Sequence, residues 1–244
     1  MIGSADLKAV EEVLDESFPA SLPETRRNLV SSADVRTFPA RQTIVSQGDD
    51  TQFGLVLEGH VGLRRTTVDG RELIPLIVSR GQLGPVLPIA GRPAGAELLS
   101  LSPGRIALWS SSAVQPVAAL DAGFALDLLG HVLLFVEELV ERMDGLLYQN
   151  AQRRVARVLD QHAEIVFGEQ AVVTRSYLPA VVGTSREMTG RVLRQLEAEG
   201  VVERIGRGRL RLLDAARLAQ TAAPSRDAGA RNKFLVGGGS PMQE

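Results

Sequence analysis

The 244-residue sequence contains no cysteine, which excludes disulfides, iron–sulfur clusters and thiol redox sensing by this chain. It also lacks an apolar run of membrane-spanning length. The most apolar stretch, residues 126–140, is interrupted by Asp127, His131, Glu137 and Glu138. Residues 1–16 are charged and amphipathic, without the apolar segment of an export signal, so the expectation is a cytoplasmic protein with no membrane partner. Three histidines, His60, His131 and His162, fall at no metal-ligand spacing, and no metal site is expected. No nucleophile–His–carboxylate arrangement or phosphate-cradling glycine loop is present, so neither catalytic residues nor an enzyme are expected. What remains is an ordinary globular composition, 44% hydrophobic and 23% charged, enough for one large domain or two small ones. The formal net charge of −2 is unevenly placed: residues 151–220 hold 12 Arg against 8 Asp and Glu, a local +4. Local charge sets the field felt by a phosphate, so the acidic total does not exclude nucleic acid.

That basic segment contains the most informative stretch, Thr184-Ser185-Arg186-Glu187-Met188-Thr189-Gly190-Arg191-Val192-Leu193-Arg194. Arg186, Glu187, Gly190, Arg191 and Arg194 share one stripe of a 3.6-period helix, while Met188, Val192, Leu193 and Leu196 share the other. Thr184 and Glu187 have capping-box spacing, which predicts a helix starting at Ser185 and running to about 199. Arginine can bond guanine O6 and N7, and a carboxylate can accept from cytosine N4. Gly190 leaves room for close approach. Upstream, Leu178, Val181 and Val182 form a short apolar segment ending at Gly183, so the order is short helix, glycine turn, capped helix. By itself the charged stripe reads first as a solvated helix face; the preceding helix and turn shift the reading to double-stranded DNA. Pro179 falls in the first turn of its helix, where it removes no bond.

Thr174-Arg175, Val182-Gly183-Thr184-Ser185-Arg186-Glu187 and Gly190-Arg191-Val192-Leu193 resemble the helix-turn-helix of the cyclic-AMP receptor protein/FNR family of bacterial transcription regulators. The resemblance implies base contacts from Arg186, Glu187 and Arg191 and phosphate contacts from Thr174 and Ser185. It also implies a half-site like TGTGA, and RNA polymerase as a protein partner. Past this helix, residues 200–205 and 209–213 flank Gly206-Arg207-Gly208 as a hairpin, the wing. Arg207 and Arg209 are within its reach of phosphates, with plain solvent exposure as the alternative.

The remainder fits the same α+β architecture: an antiparallel β-roll, a long dimerisation helix and a C-terminal winged helix-turn-helix. Residues 1–30 read as helical, followed by short β-rich runs with turns at Gln47-Gly48-Asp49, Glu58-Gly59 and Asp69-Gly70. The expected boundaries are a roll domain over 1–121, a dimerisation helix over 122–149, a DNA-binding domain over 150–220 and a disordered tail over 221–244. In relatives that bind cyclic nucleotides, the segment matching residues 81–101 supplies a short helix, a Glu and an Arg-Ser pair. Here Pro85 or Val86 stands at the Glu position and Ala94-Gly95 at the Arg-Ser position, and three prolines remove backbone donors. Arg92 and Glu97 are the displaced candidates for phosphate and ribose. The expectation is no cofactor, cyclic AMP being disfavoured; the alternative is a roll that senses cyclic AMP, haem or another small molecule.

In the long helix, Leu129, Val132, Val136, Leu139, Met143 and Leu146 are spaced 3, 4, 3, 4, 3, which predicts a homodimer seam. Leu128, Leu133, Phe135 and Val140 are assigned to a second face against the roll. His131 reads either as a haem ligand or pH-sensitive group or as a histidine satisfied by hydrogen bonds.

Overall fold

The computed structural model describes residues 4–49, 52–168, 172–206 and 208–223. Two helices, α1 (Ser4–Ser17) and α2 (Pro23–Ser32), lead into seven strands: β1 (Asp34–Phe38), β2 (Thr43–Val45), β3 (Gln52–Glu58), β4 (Val61–Thr66), β5 (Glu72–Val78), β6 (Glu97–Ser100) and β7 (Gly104–Ser110). They form two antiparallel sheets in the orders β1-β7-β3 and β2-β6-β4-β5. Alternate side chains of each sheet face each other, so Val45, Val56, Leu63, Leu76, Leu98, Ile106 and Leu108 make one buried cluster between them.

Both outer faces are also covered, which explains why β3 is buried at five consecutive positions instead of alternating. Phe53, Leu55, Leu57, Ala107 and Trp109 pack against the N-terminal helices. On the opposite side, Ile74, Leu99 and Leu101 belong to the same buried cluster as the C-terminal domain. The roll is therefore the middle layer of the molecule. The turn at Asp69-Gly70 forms as expected, with Gly70 at φ 75° in the loop joining β4 to β5.

A helix that the sequence reading did not separate, α3 (Ser111–Leu120), precedes the long α4 (Ala122–Tyr148). Pro116 lies inside α3 and suggests a break, but burial of Val114 in the N-terminal cluster holds the helix. Buried Asp121 caps α4: it accepts from Phe124 N–H at 3.0 Å and from Leu22 N–H at 2.7 Å.

The C-terminal domain comprises α5 (Ala151–Gln161), α6 (Ala163–Phe167), α7 (Leu178–Val182), α8 (Arg186–Ala198), the hairpin β8 (Val202–Ile205) and β9 (Arg209–Leu212), and α9 (Ala215–Ala222). Asn150 caps α5 by accepting from Arg153 N–H at 2.9 Å, immediately after α4 ends. The last helix crosses the expected start of the tail at 221. Asp214 caps it through Arg217 N–H, and Leu218 is buried against the domain core. The rest of that tail, from 224, lies outside the described residues. Among the described residues, no single helix is long and apolar enough to cross a membrane.

Candidate nucleic-acid interface

The short α7 is buried at all five positions and so acts as a platform. Pro179 lies in its first turn, where no intrahelical donor is lost. Gly183 ends α7 at φ 70°, and N–H groups of Gly183 and Thr184 close the turn on Pro179 O. A Cβ at Gly183 would lie 3.0 Å from Leu146 Cδ2, so both its backbone angle and its closeness to α4 require glycine. The cap of α8 is Ser185, accepting from Met188 N–H at 3.1 Å, one residue later than the Thr184 box predicts. A serine followed by three helical residues satisfies the same orphan donors, and Ser185 is the residue with the extended backbone that a cap needs.

From that start α8 divides nearly as its periodicity demands, except that Met188 is only half-buried and Thr189, bonded to Ser185 O, takes the buried place. Thr189, Val192, Leu193 and Leu196 are buried, while Arg186, Glu187, Arg191 and Arg194 are exposed. Arg191 Nη2 and Glu187 Oε1 are 3.1 Å apart one turn from each other. An exposed pair of this kind is weak and easily exchanged for another partner. Gly190 lies on the same face, and a Cβ there would meet only Arg194 Nη1 at 3.9 Å. Nothing among the described residues requires that glycine.

The hairpin after α8 is tied to it by an ion pair between Arg204 and Glu197. That bond, against the cost of desolvation, keeps the Glu197 carboxyl below its usual pKa. Arg175 N–H donates to Gly208 O at 3.3 Å, joining the residues before α7 to the hairpin tip. Thr174 is half-buried with its Oγ1 2.6 Å from Ser176 Oγ, and Arg209 is exposed. Arg207 lies outside the described residues.

The long helix departs from the predicted seam. Leu139 packs with Phe135 against the roll cluster, Val132 is half-buried, and Leu146 sits over Gly183. The open row is Leu126, Leu129, Leu133, Val136, Val140, Met143 and Leu147, 48–68% exposed and again spaced 3 and 4. Leu129, Val136 and Met143 belong to both ladders. The helix is apolar enough to carry two overlapping heptad patterns, and only its packing on the roll shows which one is left open.

The roll segment contains the two displaced candidates but does not bring them into a pocket. Arg92 is exposed. Glu97 is bonded to Arg64, its cross-strand neighbour, and Arg64 also reaches Glu72 at 3.0 Å. Glu97 is thus an ion-pair partner on the outer face of β6, because Leu98 beside it takes the inward position. The interior is filled by aliphatic side chains, with Phe135 and Leu139 of α4 against them. The buried polar side chains among the described residues are serines, threonines and Asp121, with no cation. His131 Nε2 bonds Ser17 O at 2.9 Å and its ring lies 5.3 Å from that of Phe18, which is the satisfied-histidine reading. His60 and His162, distant in sequence, line one cavity between the roll and α5. Burial lowers both their pKa values. Among the described residues no three His, Cys, Asp or Glu groups gather as metal ligands.

A buried helix, a glycine turn, a second helix with one charged face and a β-hairpin bound to its end form a winged helix-turn-helix, the class of domain that places a helix in the DNA major groove. Residues 153–221 match the Crp-like helix-turn-helix domain. The chain is 28% identical over 208 residues to the cyclic AMP receptor protein of Thermus thermophilus, covering 84% of this chain and 95% of that one. It is 26% identical to the cAMP-activated global transcriptional regulator Vfr of Pseudomonas aeruginosa, over 71% of this chain and 87% of that one. A CRP/FNR-family transcriptional regulator from T. thermophilus superposes with TM-score 0.67 at 25% identity, covering 78% of this chain and 98% of that one. The structure of FixK2 from Bradyrhizobium japonicum shares the fold, with TM-score 0.67 at 19% identity, over 79% and 98%. Residues 153–221 are thus a Crp-like helix-turn-helix domain, and over most of its length the chain is similar to DNA-binding transcription regulators of the CRP/FNR family.

Proposed function

We propose that the protein acts as a homodimer that reads a palindromic DNA site through α8 without a cyclic nucleotide in its roll. Arg186, Glu187 and Arg191 are the base readers, Gly190 admits the groove floor, and Thr174, Ser185, Arg207 and Arg209 hold phosphates. The observation that carries this reading is the division of α8: four apolar or small side chains buried beneath, four charged ones open above. A partner copy joined along the seven-residue row of α4 places two such helices about 34 Å apart, one turn of duplex. Each bidentate arginine–guanine contact contributes about 1–3 kcal/mol of discrimination.

The ligand-gated reading is supported by the relatives, of which one is named a cyclic AMP receptor protein and another cAMP-activated. Against it stands the aliphatic filling of the roll, where an anionic phosphate would find no cation. A gel shift on a palindromic TGTGA-type duplex, with and without cyclic AMP, separates the two. Retardation unaffected by the nucleotide is expected; retardation that requires it overturns the ligand-free reading. Equal binding to random duplex overturns sequence-specific reading altogether. Contact with RNA polymerase belongs to this proposal as the route from bound DNA to transcription.

A further inference from the structure

A cavity of about 320 Å³ opens between the last turns of α4, the body of α5, the end of α7 and β5. Arg142, Arg154 and Arg157 line it together with Glu138 and Glu141, so cations exceed carboxylates. Glu141 is already engaged, accepting from Arg157 Nη2 at 3.0 Å. Loss of hydration raises the Glu138 pKa above its usual value, against the attraction of Arg142. Arg154 forms no ion pair among the described residues, and Arg142 has the attraction of Glu138, one helical turn away, without a close ion pair. Each gives one N–H to a backbone carbonyl: Arg142 to Val181 O, and Arg154 Nη1 to Gln149 O at 2.8 Å.

Their Nε–H groups are buried and have no acceptor, and neither has Gln149 Oε1 a donor. Buried donors without partners are rare in folded proteins, and charged ones carry the larger cost. Here two occur in one cavity, and the cations outnumber the carboxylates there: Glu138 offsets part of the charge of Arg142, Glu141 serves Arg157, and Arg154 is left over. A water can satisfy one N–H but cannot neutralise a buried cation. An oxyanion does both, because its oxygens match the guanidinium edge. Arg142 stays cationic at neutral pH although burial brings its pKa down to about 10.

We propose that this cavity binds a small oxyanion-bearing molecule, of the phosphate or carboxylate class, between Arg142 and Arg154. The two residues lie on either side of the break between α4 and α5, and Val181 and Val182 of the platform helix also line the space. An occupant therefore bridges the helix that bears the open apolar row to the domain that bears α8. Its position at the break between the two helices gives such a ligand a direct hold on how α8 is presented. The site is separate from the interior of the roll, and its binding is independent of the DNA-reading residues.

The test uses the full-length protein without DNA, by calorimetry and thermal melting in orthophosphate, pyrophosphate and citrate, against sodium chloride at matched ionic strength. Saturable binding of about one anion per chain and a rise in Tm are expected for at least one oxyanion. The phosphates and citrate distinguish the two chemical sources. Arg154→Met is expected to weaken binding about tenfold or more, while Arg92→Met, at an exposed arginine of the roll, leaves it unchanged. If Arg154→Met does not fold, Arg154→Lys keeps the charge, loses the Nε–H edge and is expected to bind more weakly with an unaltered circular dichroism spectrum. Melts that match those in chloride for every anion overturn the proposal, as does undiminished binding by both Arg154 variants. Neither result bears on whether α8 reads DNA.

Discussion

The helices α4 and α8 each bury one face in their own chain and leave the other open, but the open faces are chemical opposites. That of α4 is aliphatic over seven heptad positions; that of α8 holds three arginines and a glutamate around a glycine. An extended apolar row has no stable place in water and calls for another protein surface of the same kind. A charged row is stable in water, and becomes a binding surface only where its donors match a ligand such as a base edge. Under the proposed function, the same amphipathic principle serves self-association on α4 and base reading on α8.

The largest expected effect comes from breaking the first of these faces. Leu133→Glu/Val140→Glu is expected to leave the roll folded and the protein monomeric in sedimentation, with affinity for the palindrome reduced about a hundredfold or more as two-site binding is lost. Leu139→Glu, one residue away, faces the roll cluster instead and is expected to destabilise the fold by about 3 kcal/mol. If Leu139→Glu dissociates a well-folded dimer while the double variant remains dimeric, the open row has been assigned to the wrong side of α4.

The second face is tested without touching the core. Arg186→Ala and Glu187→Ala are each expected to cost about 1–3 kcal/mol against the preferred base at one position of the site. Thermal stability should stay within about 0.5 kcal/mol, as for other exposed sites. A site-selection logo that is unchanged for Glu187→Ala removes that residue from the reading. Gly190→Ala sharpens the point because stability and binding should move in opposite directions. With open space over the glycine, alanine is expected to stabilise the helix by about 0.5–1 kcal/mol, while its methyl group holds the helix off the groove and weakens DNA binding. A tighter-binding Gly190→Ala protein shows that the glycine is not at the groove floor.

The sequence revealed the periodic elements well and the contacts between layers poorly. The two-faced α8 was legible because its buried and charged residues alternate at a helical period within thirteen positions. The roll was legible from its turns, and the wing from Gly206 and Gly208. Which α4 ladder stays open was not legible, since Leu128, Phe135 and Leu139 differ from Leu126, Leu133 and Val140 only in what packs beside them. Glu97 could not be excluded as a ligand until β4 placed Arg64 opposite it. The cavity at the α4–α5 break joins Arg142 to Arg154 and Val181 across three helices, and no local pattern announces such a meeting.

The smallest effect concerns how α8 is held to its wing. The bond from Arg204 keeps Glu197 ionised to lower pH than an unfolded glutamate, so the pair stabilises the fold above the unfolded pKa, about 4.3. That contribution is lost as pH falls through the lower folded value. The pair is partly exposed, and screening limits it to about 1 kcal/mol or less. Glu197→Gln is therefore expected to lower Tm slightly at neutral pH, with the gap to the wild-type protein closing as the pH is taken below about 4. If the gap persists undiminished in acid, the glutamate acts through packing at the end of α8 and not through its charge. In that case the hairpin's alignment with the reading face depends on the apolar contacts of Val202 and Leu210.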